Sequence, residues 1–294
     1  MSFYKNAGGI VHPTTTAELQ NEIKIRLDRE QTNLNDIDTS KIIDMSSLFY
    51  GLEDLNVDVS LWDVSNVRDM SYMFYGCKNF DCDLSRWNTS NVENMSSLFS
   101  GCNNFNSDLS GWSTSKVKSM TYMFGFCHQF NSDLSHWDVS KVLNMHNMFN
   151  NCYNFNSDLS RWNVSNVVNM DNMFTGCTFF NSDLSRWDVS NVTSMTNMFR
   201  GCSNFTSELS HWDVSKVENM IFMFEGCSNF NSDLSKWDVS KVTNMFSMFY
   251  VCKNFNCDLS KWNVSRVRNM KYMFNNSGMK VLPDWYRTLK QYKD

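Results

Sequence analysis

FNSDLSRWDVSNVTSMTNMFRGC, residues 180–202, decides the fold, because most of the chain repeats it. Its Trp187 recurs as Trp62, Trp87, Trp112, Trp137, Trp162, Trp212, Trp237 and Trp262, always 25 residues apart. A fixed period of this size marks stacked supersecondary units, none of which can bury its apolar face alone. Stability is then cooperative along the array.

Two spacings can be read inside the unit. Phe180, Ser182 and Leu184 alternate with Asn181, Asp183 and Ser185, the pattern of a short strand with one face inward. From Val192 the apolar residues fall at Val192, Met195, Met198, Phe199 and Cys202, the face of one or two turns of α- or 3-10 helix. Ser190 suits its N-cap and Gly201 its terminator. The expectation is an α/β repeat: a leucine-rich-repeat-like solenoid of about ten 25-residue coils, each with a short parallel strand and a short helix or 3-10 turn.

Working outward, Ile37, Ile42, Met45, Leu48 and Phe49 form a degenerate first coil, and the register breaks after Asn275. The solenoid is therefore expected over residues 37–276. Upstream, Thr15 and Glu18 have capping-box spacing, and Leu19, Ile23 and Leu27 make an apolar stripe. They predict an N-terminal capping helix over 17–31, within an extension and cap of residues 1–36. Val281, Leu282, Trp285 and Tyr286 mark a C-terminal cap, residues 277–294.

Composition narrows the class. The net charge of −5 argues against a nucleic-acid partner. No apolar run reaches the ~18 residues of a membrane span, so no membrane insertion is expected. The start shows no signal-peptide h-region, which makes a cytoplasmic location the default. Eight of the ten cysteines share one phase of the repeat, from Cys77 to Cys252, and Cys82 and Cys257 share another. A buried column of free thiols accounts for this better than disulfides between coils or a metal site.

The unit Trp-Asp-Val-Ser-Asn-Val-x-x-Met-x-x-Met-Phe-x-Gly-Cys-x-x-Phe-Asn-x-Asp-Leu-Ser resembles the 25-residue repeat of the BspA-like leucine-rich-repeat surface proteins. That family is also known as the Mycoplasma protein of unknown function. The entry Ile37-Asp-Thr-Ser-Lys-Ile-Ile-Asp-Met-Ser-Ser-Leu-Phe resembles its first repeat. The resemblance implies a right-handed solenoid and a non-enzymatic role in adhesion or protein interaction, and it raises a cell-surface location.

Each column carries two readings. The acidic column Asp58, Asp83, Asp108, Asp133, Asp158, Asp183, Glu208, Asp233, Asp258 is a set of turn acceptors or a calcium ladder. The Trp column is core or, with the acidic one, an exposed ladder for carbohydrate. Strict alternation puts Trp187 on the polar face, whereas a turn at Arg186 returns it to the core. His12, His128, His136, His146 and His211 are scattered, no Ser or Cys has an in-phase His, and no catalytic site or cofactor is expected. Specificity should then lie where copies differ. Ile221, Phe222, Phe246, Tyr250 and Tyr272 form a candidate contact patch for a protein partner, or else they pack under the C-terminal cap.

Overall fold

The units are joined by a ladder that runs through turns. In the computed structural model, which describes residues 10–293, alternate N–H groups of one unit donate to carbonyls of the next. Met195 donates to Asn219 (3.1 Å), Asn197 to Ile221 (2.8 Å), Phe199 to Met223 (2.9 Å) and Gly201 to Glu225 (2.7 Å). The N–H groups between them close tight turns within the unit: Met198 to Met195, Arg200 to Asn197 and Cys202 to Phe199. Isolated parallel bridges continue the same register, from Asp44–Asp69 to Asn244–Asn269.

This corrects the expected strand-plus-helix coil of a leucine-rich-repeat-like solenoid. Among the described residues there is no sheet, and the helices are α1, Thr16–Leu27, and α2, Asp284–Lys293. The helix-like stretch 192–202 cannot be helical because Asn197 (φ 55°) and Gly201 (φ 75°) are left-handed. A right-handed helix requires consecutive right-handed residues, and these two interrupt it every four. The expected strand fails for a different reason. Its N–H groups meet side-chain oxygens of neighbouring units in place of backbone carbonyls: the Asn181 N–H donates to Asn156 Oδ1 (2.7 Å) and the Leu184 N–H to Ser207 Oγ (2.8 Å).

The core consists of ring columns. Phe174 and Phe199 stack at 5.6 Å, and Trp187 and Trp212 at 6.5 Å with their planes 1° apart. The turn closed by the Trp187 N–H on the Leu184 carbonyl swings the indole inward, where it is 3% exposed. Its Nε1–H donates to the Leu159 carbonyl, 28 residues earlier (2.9 Å), and Trp62, Trp87, Trp112, Trp137, Trp162, Trp212, Trp237 and Trp262 repeat the bond. A buried indole N–H demands a partner, and the stacked neighbour supplies it.

Helices close both ends of the column. On α1, Thr15 Oγ1 accepts from the Glu18 N–H (3.2 Å), while the Glu18 carboxylate reaches back to the Thr14 N–H (2.7 Å). The helix stops short of residue 31 because Glu30 is left-handed (φ 59°). Leu19 and Ile23 enter the core, and Thr16 Oγ1 donates to the Asp44 carbonyl of the first unit (2.7 Å). Arg26 is buried but paired with Glu22 (2.6 Å) and Asp36 (2.7 Å). On α2, Trp285 continues the indole column: it stacks on Trp262 at 6.4 Å and donates to the Leu259 carbonyl (2.8 Å). Residues 1–9 of the expected N-terminal extension, and residue 294 of the C-terminal one, lie outside the described residues.

Candidate functional site

The repeated polar columns are consumed by the fold. Asp183 Oδ1 accepts from the Ser185 N–H (2.9 Å), an Asx turn repeated at Asp58, Asp83, Asp108, Asp133, Asp158, Asp233 and Asp258. A second set opens the next turn, as in Asp188 to Ser190 (3.0 Å), and a third opens the left-handed stretch, as in Asn219 to Ile221 (3.1 Å). No group of three or more His, Cys, Asp or Glu among the described residues could hold a metal ion. The indoles are buried, so their faces meet each other and leave no stacking ladder for a sugar.

All ten cysteines are free thiols. Each member of the main column points its Sγ at a carbonyl 28 residues earlier, as Cys177 does to Phe149 (3.0 Å). Burial pushes the Cys77 thiol up to about 12, and it drives Cys102, Cys127, Cys177 and Cys227 well above their ordinary value. Thiolate is the reactive form, so this column should be inert. A thiol reagent is expected to modify only the half-buried Cys82 and Cys257 in the native protein, and all ten after denaturation. Rapid native labelling at any other cysteine, read by mass spectrometry, would contradict the packing.

One face escapes this accounting. In every unit the residue in the phase of Asn197 is left-handed, a conformation that suits Gly and Asn and penalises bulky side chains. Ser47, Ser97, Asn147, Asn172 and Ser247 fit it tolerably, yet Tyr72, Tyr122, Phe222 and Tyr272 occupy it at φ 58°, 58°, 54° and 60°. Four residues on, glycine fills the second left-handed position at Gly51, Gly76, Gly101, Gly176, Gly201 and Gly226, whereas Phe126 and Val251 stand there at 64° and 61°. Strain of this kind, of the order of 1–3 kcal/mol per residue, gathers where a side chain is needed for something other than folding.

The structure brings together three of the five predicted patch residues. Phe222 and Phe246 meet edge to face at 5.1 Å, and Phe246 and Tyr272 at 5.7 Å. The Arg200 guanidinium lies over Phe222, 4.9 Å from the ring centre, and its Nε is 2.6 Å from a Glu225 carboxylate oxygen, close but not aligned as a hydrogen bond. Ile221 and Tyr250 are half-buried on the same face, with no ring contact joining Tyr250 to the cluster among the described residues. α2 sets Trp285 and Tyr286 against Trp262 and Phe274 at the end of the core, and Tyr272 stays 53% exposed.

A second aromatic group on this face went unread in the sequence. Tyr50 stacks on Tyr75 (4.8 Å, 8° between planes), and Tyr72 leans on both. Tyr122 meets His146 edge-on at 5.4 Å, and His128 stacks on Tyr153 at 4.7 Å. The available signal was that Tyr72 and Tyr122 occupy the phase of Phe222.

Among the described residues no helix is long and apolar enough to cross a membrane. No curated protein matches the chain. The sequence profile of one family matches it three times, over residues 19–137, 107–199 and 180–281, overlapping as a repeat family should. The chain belongs to the family described as Mycoplasma protein of unknown function, DUF285.

Proposed function

We propose that the chain is a non-enzymatic scaffold for protein interaction or adhesion. It binds a protein partner through the row of left-handed turns, centred on Phe222, Phe246 and Tyr272. One observation carries the reading: Phe222 and Tyr272, both in strained left-handed backbone, meet Phe246 edge to face in a cluster that ends in the exposed ring of Tyr272. Exposed aromatic clusters with an adjacent Arg have the composition of contact centres. The repeated Asp, Cys and Trp columns support a non-enzymatic role, since each is engaged in holding its unit to the next. On this reading residues 37–276 form the binding array, and residues 1–36 and 277–294 close its ends. The likeness of the unit to that of the BspA-like surface proteins supports adhesion as the context, and the net charge of −5 favours a protein partner over nucleic acid.

Tyr272→Asn separates function from folding. Asparagine tolerates the left-handed backbone, so stability should stay level or rise by up to about 1 kcal/mol. Partner capture in a cross-linked pull-down should fall by about tenfold, as it should for Phe246→Ser. Unchanged capture by both variants, at an unchanged melting temperature, would refute the patch.

A further inference from the structure

We infer that the first units carry a binding groove for a neutral oligosaccharide, separate from the patch proposed above and independent of it. The groove encloses about 620 Å³, within the range of small-ligand sites. Four consecutive units line it, the first through Gly51 and Glu53. Tyr72 and Tyr75 stand on one side, Tyr122 and Phe126 on the other, and the unit between them contributes Ser97 and Ser100. Aromatic walls around a floor of small residues leave a slot that is open along the face.

Ser97 and Ser100 are 5% and 4% exposed as residues, and both line the groove, where their hydroxyls are not among the buried atoms left without a partner. A pair of hydroxyls held open at the floor of a groove offers a ligand two groups that can each donate and accept. The backbone around them has nothing left to offer. The Ser97 N–H donates to the Thr121 carbonyl (2.8 Å), the Gly101 N–H to the Gly125 carbonyl (2.7 Å), and the Ser100 carbonyl accepts from the Gly76 N–H (2.7 Å). An extended peptide, which docks by pairing its main chain, finds no open ladder here.

What remains are hydroxyls, phenols and ring faces. A sugar matches that set: its hydroxyls both donate and accept, and its C–H faces suit the negative faces of aromatic rings. Charge agrees. The ionic groups on the rim, Glu53 and Lys78, pair with each other at 2.7 Å, so the groove presents no uncompensated charge. Backbone strain agrees as well, because Tyr72, Tyr122 and Phe126 are all left-handed.

The test uses the full chain against chitohexaose, cellohexaose, laminarihexaose and mannohexaose, by saturation-transfer NMR and calorimetry, with a proline-rich decapeptide as the competing class. At least one hexasaccharide should bind. Ser100→Ala and Tyr72→Asn, the latter suited to its backbone, should each weaken it by about tenfold. Phe246→Ser, in the distant patch, should leave it unchanged and so distinguishes this site from the protein-binding face. The inference is overturned if no saccharide binds at about 10 mM, if Ser100→Ala and Tyr72→Asn bind as wild type does, or if only the decapeptide binds.

Discussion

Replacing Trp162 with alanine is expected to cost about 3–5 kcal/mol and to split the denaturation curve in two. Removing a large buried aromatic costs about 3–5 kcal/mol. The Leu134 carbonyl loses the indole donor at 3.0 Å but keeps the Trp137 N–H at 3.1 Å, so the lost packing dominates the cost. Trp162 also packs on Phe149 and stacks on Trp187, so the damage crosses unit boundaries in both directions. In a one-dimensional array a weak central unit uncouples the segments on either side. Urea unfolding followed by circular dichroism should therefore show two phases for Trp162→Ala and one for wild type. Trp162→Phe should lose only about 1–3 kcal/mol, because it keeps an aromatic ring in the column and gives up one hydrogen bond. A single-phase curve with less than about 1 kcal/mol lost in the alanine variant would rule out the bonded indole column.

Acid should unfold the protein cooperatively, and salt should do little to prevent it. Asp83, Asp133, Asp183, Asp233 and Asp258 are held below the ordinary carboxylate value chiefly by backbone N–H donors two residues on, and Asp58, Asp138, Asp213 and Asp238 chiefly by the serine side chains there. Asp38 is held lowest, at about 2, by Ser40 first and His12 second. A depressed carboxylate binds its proton more readily in the unfolded chain. Its contribution is thus complete above the unfolded value near 4 and is lost as pH falls through the folded one. The groups are exposed or, at Asp38 and Asp58, half-buried, and each share is small. The effect comes from repetition, since the same turn is weakened in unit after unit. Stability should be level above about pH 5 and fall steeply between about 4 and 2. Because the leading cause is a hydrogen bond, about 0.5 M NaCl should leave the midpoint in place. A midpoint that moves strongly with salt would point instead to ion pairs.

Much of the register could be read from the sequence, whereas the local conformation could not. The 25-residue period, the inward Phe180 and Leu184, the buried Cys column and the helix carrying Leu19 and Ile23 all follow from which positions are apolar and how often they return. The expected helix at 192–202 arose from a true periodicity with a different cause. Successive tight turns place Met195, Met198 and Cys202 on one side much as a helix does, and the left-handed residues that distinguish the two were masked. Asn197 hints at such a backbone, but its phase also holds Tyr72 and Phe222, which argue against one. The expected strand failed because Asn156 and Ser207 of the neighbouring units take the N–H groups of Asn181 and Leu184, a contact no single unit encodes. For the site, the contact of Phe222, Phe246 and Tyr272 followed from their phases. The groove between Tyr72 and Tyr122 did not, because its defining feature is the pair of small serines in the unit between.

The turn-built ladder also determines how the molecule responds to force. Every bond from one unit to the next lies along the stack, so tension between the two ends loads them one unit at a time. The chain should peel in steps, each releasing 25 residues, about 80–90 Å of contour length. A stack of this kind should yield gradually at low force and re-zip when slack.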